Sequence, residues 1–260
     1  MPATDSLAPL ARFSPCVGDY VKYRPQYPLE IIDLLAEKCA LTPESVVADI
    51  GCGTGMLAKL FLDNGNPVIG VEPNADMRAG AEQYLAEFGR YTSMNGSAEA
   101  TRLPAQAIDF IVAGQAFHWF DRDRSRAEFL RLLKPDGVVA LIWNDRRLDS
   151  TPFMRDYEAL LQQHGIDYAE IDHKKIHQRE VLAPFFGGEF FEASFDNFQY
   201  LGLDGLIGRL HSASYMPAKD HAAYAPMVKR AREIFDAHAS ADGGKVTFEY
   251  DTRIFYGLLY

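Results

Sequence analysis

The 260-residue chain is predicted to fold as a doubly wound, mostly parallel α/β sheet of seven strands, with an antiparallel strand pair in its C-terminal half and a small helical cap. Three observations predict this. Short apolar runs alternate with helical patterns from Val46 to Trp143, the order that places helices on both faces of a parallel sheet. The first run, Val46-Val47-Ala48-Asp49-Ile50, enters a turn with Gly51, Gly53 and Gly55, and a helical pattern opens at Met56. Two longer segments, Glu189 to Tyr200 and Lys245 to Tyr256, alternate with frequent aromatics and suit antiparallel strands added at the sheet edge.

The elements follow in order. Residues 1–28 carry prolines that disfavour helix before them and are assigned as a lid reaching over the domain, with Tyr20, Tyr23 and Tyr27 as its aromatics. Residues 29–150 form the ligand-binding core, and 151–260 supply edge strands and cap to the same domain. Leu29 to Cys39 is an amphipathic helix with Ile31, Ile32, Leu34 and Leu35 on its apolar face. The strand Pro67 to Val71 ends in Glu72, and a helix with Ala75, Met77 and Ala81 follows. Tyr91 to Met94 is a weak strand running into Gly96-Ser97-Ala98-Glu99, and Ile108 to Ala113 a stronger one ending at Gly114. A helix over Arg126 to Leu133 stops at Pro135 and Gly137, and Val138 to Trp143 is the nearly all-apolar strand expected at a sheet centre. Thr151 to His164 is helical; Leu203 to His211 and Ala222 to Ala239 are the cap helices.

Composition narrows the function. A net charge of −10 and a pI of about 5.2 disfavour non-specific attraction to nucleic acid, and Arg122, Arg124 and Arg126 are compensated by Asp121 and Asp123. The three cysteines, Cys16, Cys39 and Cys52, have no C-x-x-C spacing, which argues for a reducing compartment. No leader pattern and no apolar run near the ~18 residues of a membrane span is visible, so a cytoplasmic protein without membrane insertion or nucleic-acid partner is expected. Oligomeric state is left open. Glu170, His173 and His177 share a helical face, but Lys174, Lys175 and Arg179 oppose a cation there, so no metal is predicted.

The glycine turn carries the chemistry. Stripping side chains lets backbone approach a ligand closely. Asp49 at its entrance repels a diphosphate and attracts an ammonium or sulfonium. The spacing Gly51, Gly53, Gly55 also departs from G-x-G-x-x-G, which argues against a dinucleotide. Glu72 stands about 20 residues on, where a doubly wound sheet places the acid that binds a ribose diol.

Asp49-x-Gly51-x-Gly53-x-Gly55 resembles the first motif of the class I S-adenosylmethionine-dependent methyltransferases, and Glu72-Pro73-Asn74-Ala75-Asp76-Met77 resembles the second. Tyr20-x-x-Tyr23-Arg24-Pro25-x-Tyr27-Pro28, Gly96-Ser97-Ala98-Glu99, Phe117-His118-Trp119-Phe120 and Leu132-Leu133-Lys134-Pro135 are similar to a subgroup that includes ubiquinone/menaquinone-type and trans-aconitate-type enzymes. The likeness spans roughly residues 18 to 145 and implies a Rossmann-like fold, S-adenosylmethionine as cofactor, S-adenosylhomocysteine as product and a small-molecule methyl acceptor. It implies cofactor contacts from Tyr20, Arg24, Asp49, Gly51, Gly53, Gly55, Glu72, Pro73 and Met77. Ser97, Ala98 and Glu99 would lie at the adenine, and Gln115, Ala116 and Phe117 beneath the methionine portion. Tyr23, Trp119, Asn144, His211 and Tyr215 are the acceptor-side candidates. His118 is either a general base near the methyl group or a packing residue beside Trp119. Two other functions remain open: a cofactor-binding regulator without turnover, and a nucleotide-dependent oxidoreductase, against which Asp49 and the glycine spacing argue.

Overall fold

The computed structural model describes residues 22–166, 168, 179–213, 215–239 and 244–260. Tyr20, Cys16, Ser214, most of the proposed lid and the Glu170/His173/His177 group lie outside these residues. The strands are β1 (Val47–Ile50), β2 (Val68–Val71), β3 (Tyr91–Met94), β4 (Ile108–Gly114), β5 (Leu133–Arg146), β6 (Phe191–Leu201) and β7 (Val246–Leu258). They form one seven-stranded sheet in the order β3-β2-β1-β4-β5-β7-β6. The pairings β2–β3, β1–β2, β1–β4 and β4–β5 are parallel; β5–β7 and β6–β7 are antiparallel.

The period of two along the central strands divides the core. Ala48, Ile50, Ile111, Ala113, Val139, Leu141 and Trp143 face one side; Val47, Phe110, Val112, Val138, Ala140 and Ile142 face the other. The second side is covered by α1 (Glu30–Cys39), through Ile31 and Leu35, and α2 (Met56–Asp63), six of whose eight residues are buried. The first side is covered by α4 (Arg122–Leu132), through Phe129 and Leu132, and α6 (Arg179–Phe186), through Leu182, Phe185 and Phe186. Helix α6 was not anticipated, because eight residues containing Pro184 give little periodic signal. Helix α3 (Ala75–Tyr84) starts where the Asn74 side chain accepts from the Asp76 and Met77 amides, and α4 where Asp121 caps the Arg124 amide.

A third apolar cluster forms the cap. It joins α5 (Pro152–His164), α7 (Leu203–His211) and α8 (Tyr224–His238) to Leu201, Val246, Phe248 and Tyr250 at one end of the β6–β7 pair. Strand order reverses at β1, which lies between β2 and β4, and this switch point opens a crevice at the carboxyl ends of the parallel strands. Among the described residues no helix is long and apolar enough to cross a membrane, and no group of three or more His, Cys, Asp or Glu side chains is placed to hold a metal ion.

Candidate functional site

A cavity of about 390 Å³ occupies that crevice, within the range of small-molecule sites. Its first wall is the β1–α2 turn. Gly51 takes φ +68°, and a Cβ there would come within 2.8 Å of the Ala116 Cβ, so only glycine lets the turn lie against the end of β4. Gly53 faces open space. Gly55 also has positive φ, but a Cβ there would strike Leu85 rather than the cavity. It serves helix packing and is absent from the lining.

Two carboxylates meet at this wall. Asp49 is fully buried, and neither of its oxygens has a hydrogen-bond partner that satisfies ordinary geometry among the described residues. Burial raises its pKa to about 8, against the nearby Ala58 amide and aided by the Glu72 charge. Glu72 accepts from the Gly53 amide (3.0 Å) and the Asn74 amide (2.9 Å), one bond to each oxygen. A carboxylate has about four acceptor sites, so both oxygens keep capacity for a further donor. Burial lifts its pKa, and these two amides and Arg78 oppose the rise.

Pro73, Asn74 and Met77 extend this wall, and Ser97, Ala98 and Glu99 close its far side. The Ser97–Ala100 backbone bridge and the bond from the Asp121 amide to Glu99 (2.9 Å) hold that loop. Beneath lie Gly114, Gln115 and Ala116. Gln115 has φ +55° and donates to the Asn144 carbonyl (3.1 Å), tying the ends of β4 and β5 together. Trp119, Phe120 and Tyr27 add aromatic faces.

The opposite wall is cationic. Arg24 donates to the Ser212 carbonyl (2.6 Å), which spans the cavity from the N-terminal segment to the end of α7. Arg146, at the end of β5, pairs with Glu158, donates to the Tyr168 hydroxyl (3.0 Å) and lies over the Tyr157 ring. Its Nη1 is buried without a hydrogen-bond partner. Burial would raise the Glu158 carboxyl, but Arg146 and Tyr168 hold it below its ordinary value. Arg209 is buried on α7 and makes two long bonds, both 3.5 Å, to the neutral hydroxyls of Tyr250 and Ser212. It has no carboxylate partner among the described residues.

Several sequence-derived candidates lie elsewhere. Phe117 is fully buried in an aromatic cluster with Phe120, Trp143 and Phe185 and sits behind the floor rather than on it. His118 stacks beside Trp119 (4.9 Å), and the cavity is lined by its neighbours Trp119 and Phe120 instead. His211 meets the Tyr224 hydroxyl (2.8 Å) away from the lining. Tyr215 packs on Tyr168 and is likewise off the lining. Tyr23 covers Gly208, and its carbonyl accepts from Gln199 (3.0 Å). Asn144 does line the cavity, but its side chain is engaged by Thr252, Asn197 and the Gln26 carbonyl, so it braces the sheet. Arg146, Arg209, Tyr250 and Thr54 were missed. The one available signal was Arg209 beside Leu206 and Leu210, a charge on the apolar stripe of α7.

Residues 48–141 match the family model described as a methyltransferase domain. An uncharacterised methyltransferase of Geobacillus thermodenitrificans is 31% identical over 169 residues, 64% of this chain and 75% of that protein. An uncharacterised methyltransferase-like protein of Schizosaccharomyces pombe is 28% identical over 159 residues, 61% of this chain, and the match spans only 60% of that protein's length. The fold matches a putative type II methyltransferase structure from Anaeromyxobacter dehalogenans, with a TM-score of 0.68, 21% identity, and coverage of 91% of this chain and 98% of that one.

Proposed function

The chain belongs to the class I S-adenosylmethionine-dependent methyltransferases, and we propose that it binds S-adenosylmethionine in this cleft and passes the methyl group by in-line displacement to a small organic acceptor. The observation that carries the proposal is the buried, unmet carboxylate of Asp49 at the glycine turn, with Glu72 beside it. A diphosphate would face two carboxylates at close range there. A cationic amino group supplies the donors Asp49 lacks, and a ribose diol supplies donors to the free positions on Glu72.

When bound, S-adenosylmethionine supplies an already activated methyl group on a sulfonium. The remaining work is alignment, which is worth effective molarities of ~10⁵–10⁸ M in favourable cases. Gly51 and Gly53 let backbone close on the ligand, Ser97 to Glu99 bracket the adenine, and Gln115 and Ala116 form the floor. Arg24 is assigned to the cofactor carboxylate. Tyr27, Trp119, Phe120 and Tyr250 exclude water and offer aromatic faces to positive charge. No histidine lines the cavity among the described residues, so His118 receives no proton-transfer role.

Calorimetric titration with S-adenosylmethionine and NAD, side by side, tests this reading. S-adenosylmethionine should bind and NAD should not. NAD binding with no S-adenosylmethionine binding would sink the proposal.

A further inference from the structure

We propose that strand β6 is an interface between two copies of this chain, pairing antiparallel with its twin about a two-fold axis at Phe198, so that the two sheets run on as one. This does not depend on the methyltransferase reading. β6 is the last strand of the sheet and pairs on one side only, with β7. The register tells which of its backbone groups lie on the free side. The Glu249 carbonyl accepts from the Arg147 amide (2.9 Å), so odd-numbered residues of β7 turn their backbone groups towards β5 and even-numbered ones towards β6. Tyr250 stands opposite Asn197, and Phe248 opposite Gln199. The odd-numbered residues of β6 are therefore the ones bonded to β7. Glu192, Ser194, Asp196, Phe198 and Tyr200 hold their N–H and C=O groups outward, and none of these groups has a backbone partner among the described residues.

Edge strands that stay single are guarded by shortness, proline, lysine or a bulge. The opposite edge, β3, is guarded by shortness, with four residues. β6 has eleven residues in unbroken register with β7 and contains no proline, lysine or glycine. Its two charges are neutralised within the protomer: Arg253 donates to Glu192 (2.5 Å), and Arg147 pairs with Asp196. The chain as a whole carries a net charge of −10, yet this edge presents almost none of it to a twin. Phe198 and Tyr200, on one face of the strand, are 46% and 61% exposed.

The edge is complementary to itself, and its charges choose the register. Like charges directly opposed across two strands destabilise the pair. A two-fold axis at Asp196 opposes Asp196 to the partner's Asp196, and an axis at Ser194 opposes Glu192 to the partner's Asp196. Axes at Phe195 and Asn197 set the Phe198 ring against the partner's Glu192 and the partner's Asp196. An axis at Phe198 avoids all of these, and axes nearer either end shorten the overlap. It sets Phe198 against the partner's Phe198 and the Tyr200 hydroxyl beside the partner's Asp196, a pair made twice by symmetry. Three opposed pairs then exchange two backbone bonds each. A fully buried aromatic side chain covers 150–250 Å², so the two half-exposed rings of each copy contribute roughly 400 Å² in all before the backbone edge is counted. That is a small interface and implies a micromolar dimer.

The test is sedimentation velocity on the full chain across the micromolar range, with far-UV circular dichroism to check folding. The unaltered protein should pass from monomer to dimer as concentration rises. Phe198→Lys sets two like charges on the axis and should raise the dimer dissociation constant at least about 10-fold. Phe198→Pro removes only an outward N–H, which a free edge tolerates, and should also hold the chain monomeric. Phe198→Cys should link two chains by a disulfide under mild oxidation, because residues opposed in this way have Cα atoms about 5.5 Å apart, within disulfide reach. Tyr200→Cys should not, since its two copies lie four positions apart along the strands, roughly 14 Å. Both are scored against the unaltered chain, which keeps Cys16, Cys39 and Cys52. The proposal is overturned if the chain stays monomeric throughout, if Phe198→Lys dimerises like the unaltered chain, or if Tyr200→Cys links while Phe198→Cys does not. Sedimentation of the unaltered protein decides the matter even if the variants do not fold. Persistent monomer would leave the edge to a different occupant, such as an extended peptide of another protein.

Discussion

The acidic and the cationic walls of the cleft are built in opposite ways. Asp49, the glycine turn and Glu72 belong to two consecutive strand–turn–helix units, and backbone amides hold Glu72 in place. Arg24, Arg146 and Arg209 come from the N-terminal segment, the end of β5 and helix α7, and reach the cavity only once the cap has packed. The first wall is specified locally. The second is specified by tertiary structure, in the part of the chain beyond the matched family region of residues 48–141. Substitutions on the second wall can therefore leave the first unaltered.

The comparison is broken most directly at Glu72. Glu72→Ala should weaken S-adenosylmethionine about 100-fold by calorimetry, since it removes charge-assisted bonds to the ribose. Unchanged affinity would mean that this wall does not hold the ribose.

Asp49 sharpens it through pH. Its pKa of about 8 lies far above the ordinary carboxylate range of the unfolded chain. Between pH ~4 and ~8 the folded state therefore keeps a proton that the unfolded chain has released. Its stabilising contribution is complete at low pH and is lost as pH rises through about 8. Denaturant melts of the ligand-free protein should show this decline, and Asp49→Asn should flatten it. Binding of a cationic donor runs the other way: affinity should rise with pH up to about 8 and then level off, and the Asn variant should show no such rise.

The glycines give a smaller effect. Gly51→Ala combines a positive φ with a 2.8 Å approach to Ala116 and should cost ~1–3 kcal/mol in urea unfolding. Gly53→Ala meets no atom within 4 Å and should cost ~1 kcal/mol, from backbone conformation alone. Equal costs would show that the turn is not pressed against the end of β4. Tyr250→Phe should change stability least, by under ~1 kcal/mol, because both of its bonds are long.

The same contrast explains what was legible in the sequence. Asp49, Gly51, Gly53 and Glu72, legible from the glycine turn and the strand that follows it, and Ser97 to Glu99, Gln115 and Ala116, implied by the family resemblance, all line the cavity at or just beyond the carboxyl ends of strands. The antiparallel β6–β7 pair was visible from alternation. Phe117 and His118 lie off the lining because three residues of 3₁₀ helix turn successive side chains to different sides, and no pattern that short tells which side faces the cavity. Arg146 and Arg209 were missed because their burial depends on contacts between segments distant in sequence. Each looks like a surface arginine until α5, α7 and β7 are brought together.

One pair of contacts reaches further than the site itself. A Cβ on Gly114 would come within 2.5 Å of the Tyr27 hydroxyl, and one on Gly208 would run into the Tyr23 ring. Each tyrosine of the covering segment thus occupies room that an absent side chain leaves behind. In descendants of this sequence the two couples should mutate jointly, a bulkier replacement at either glycine arriving only with a smaller ring at its partner, and an alignment deep enough to count such double changes would display that correlation.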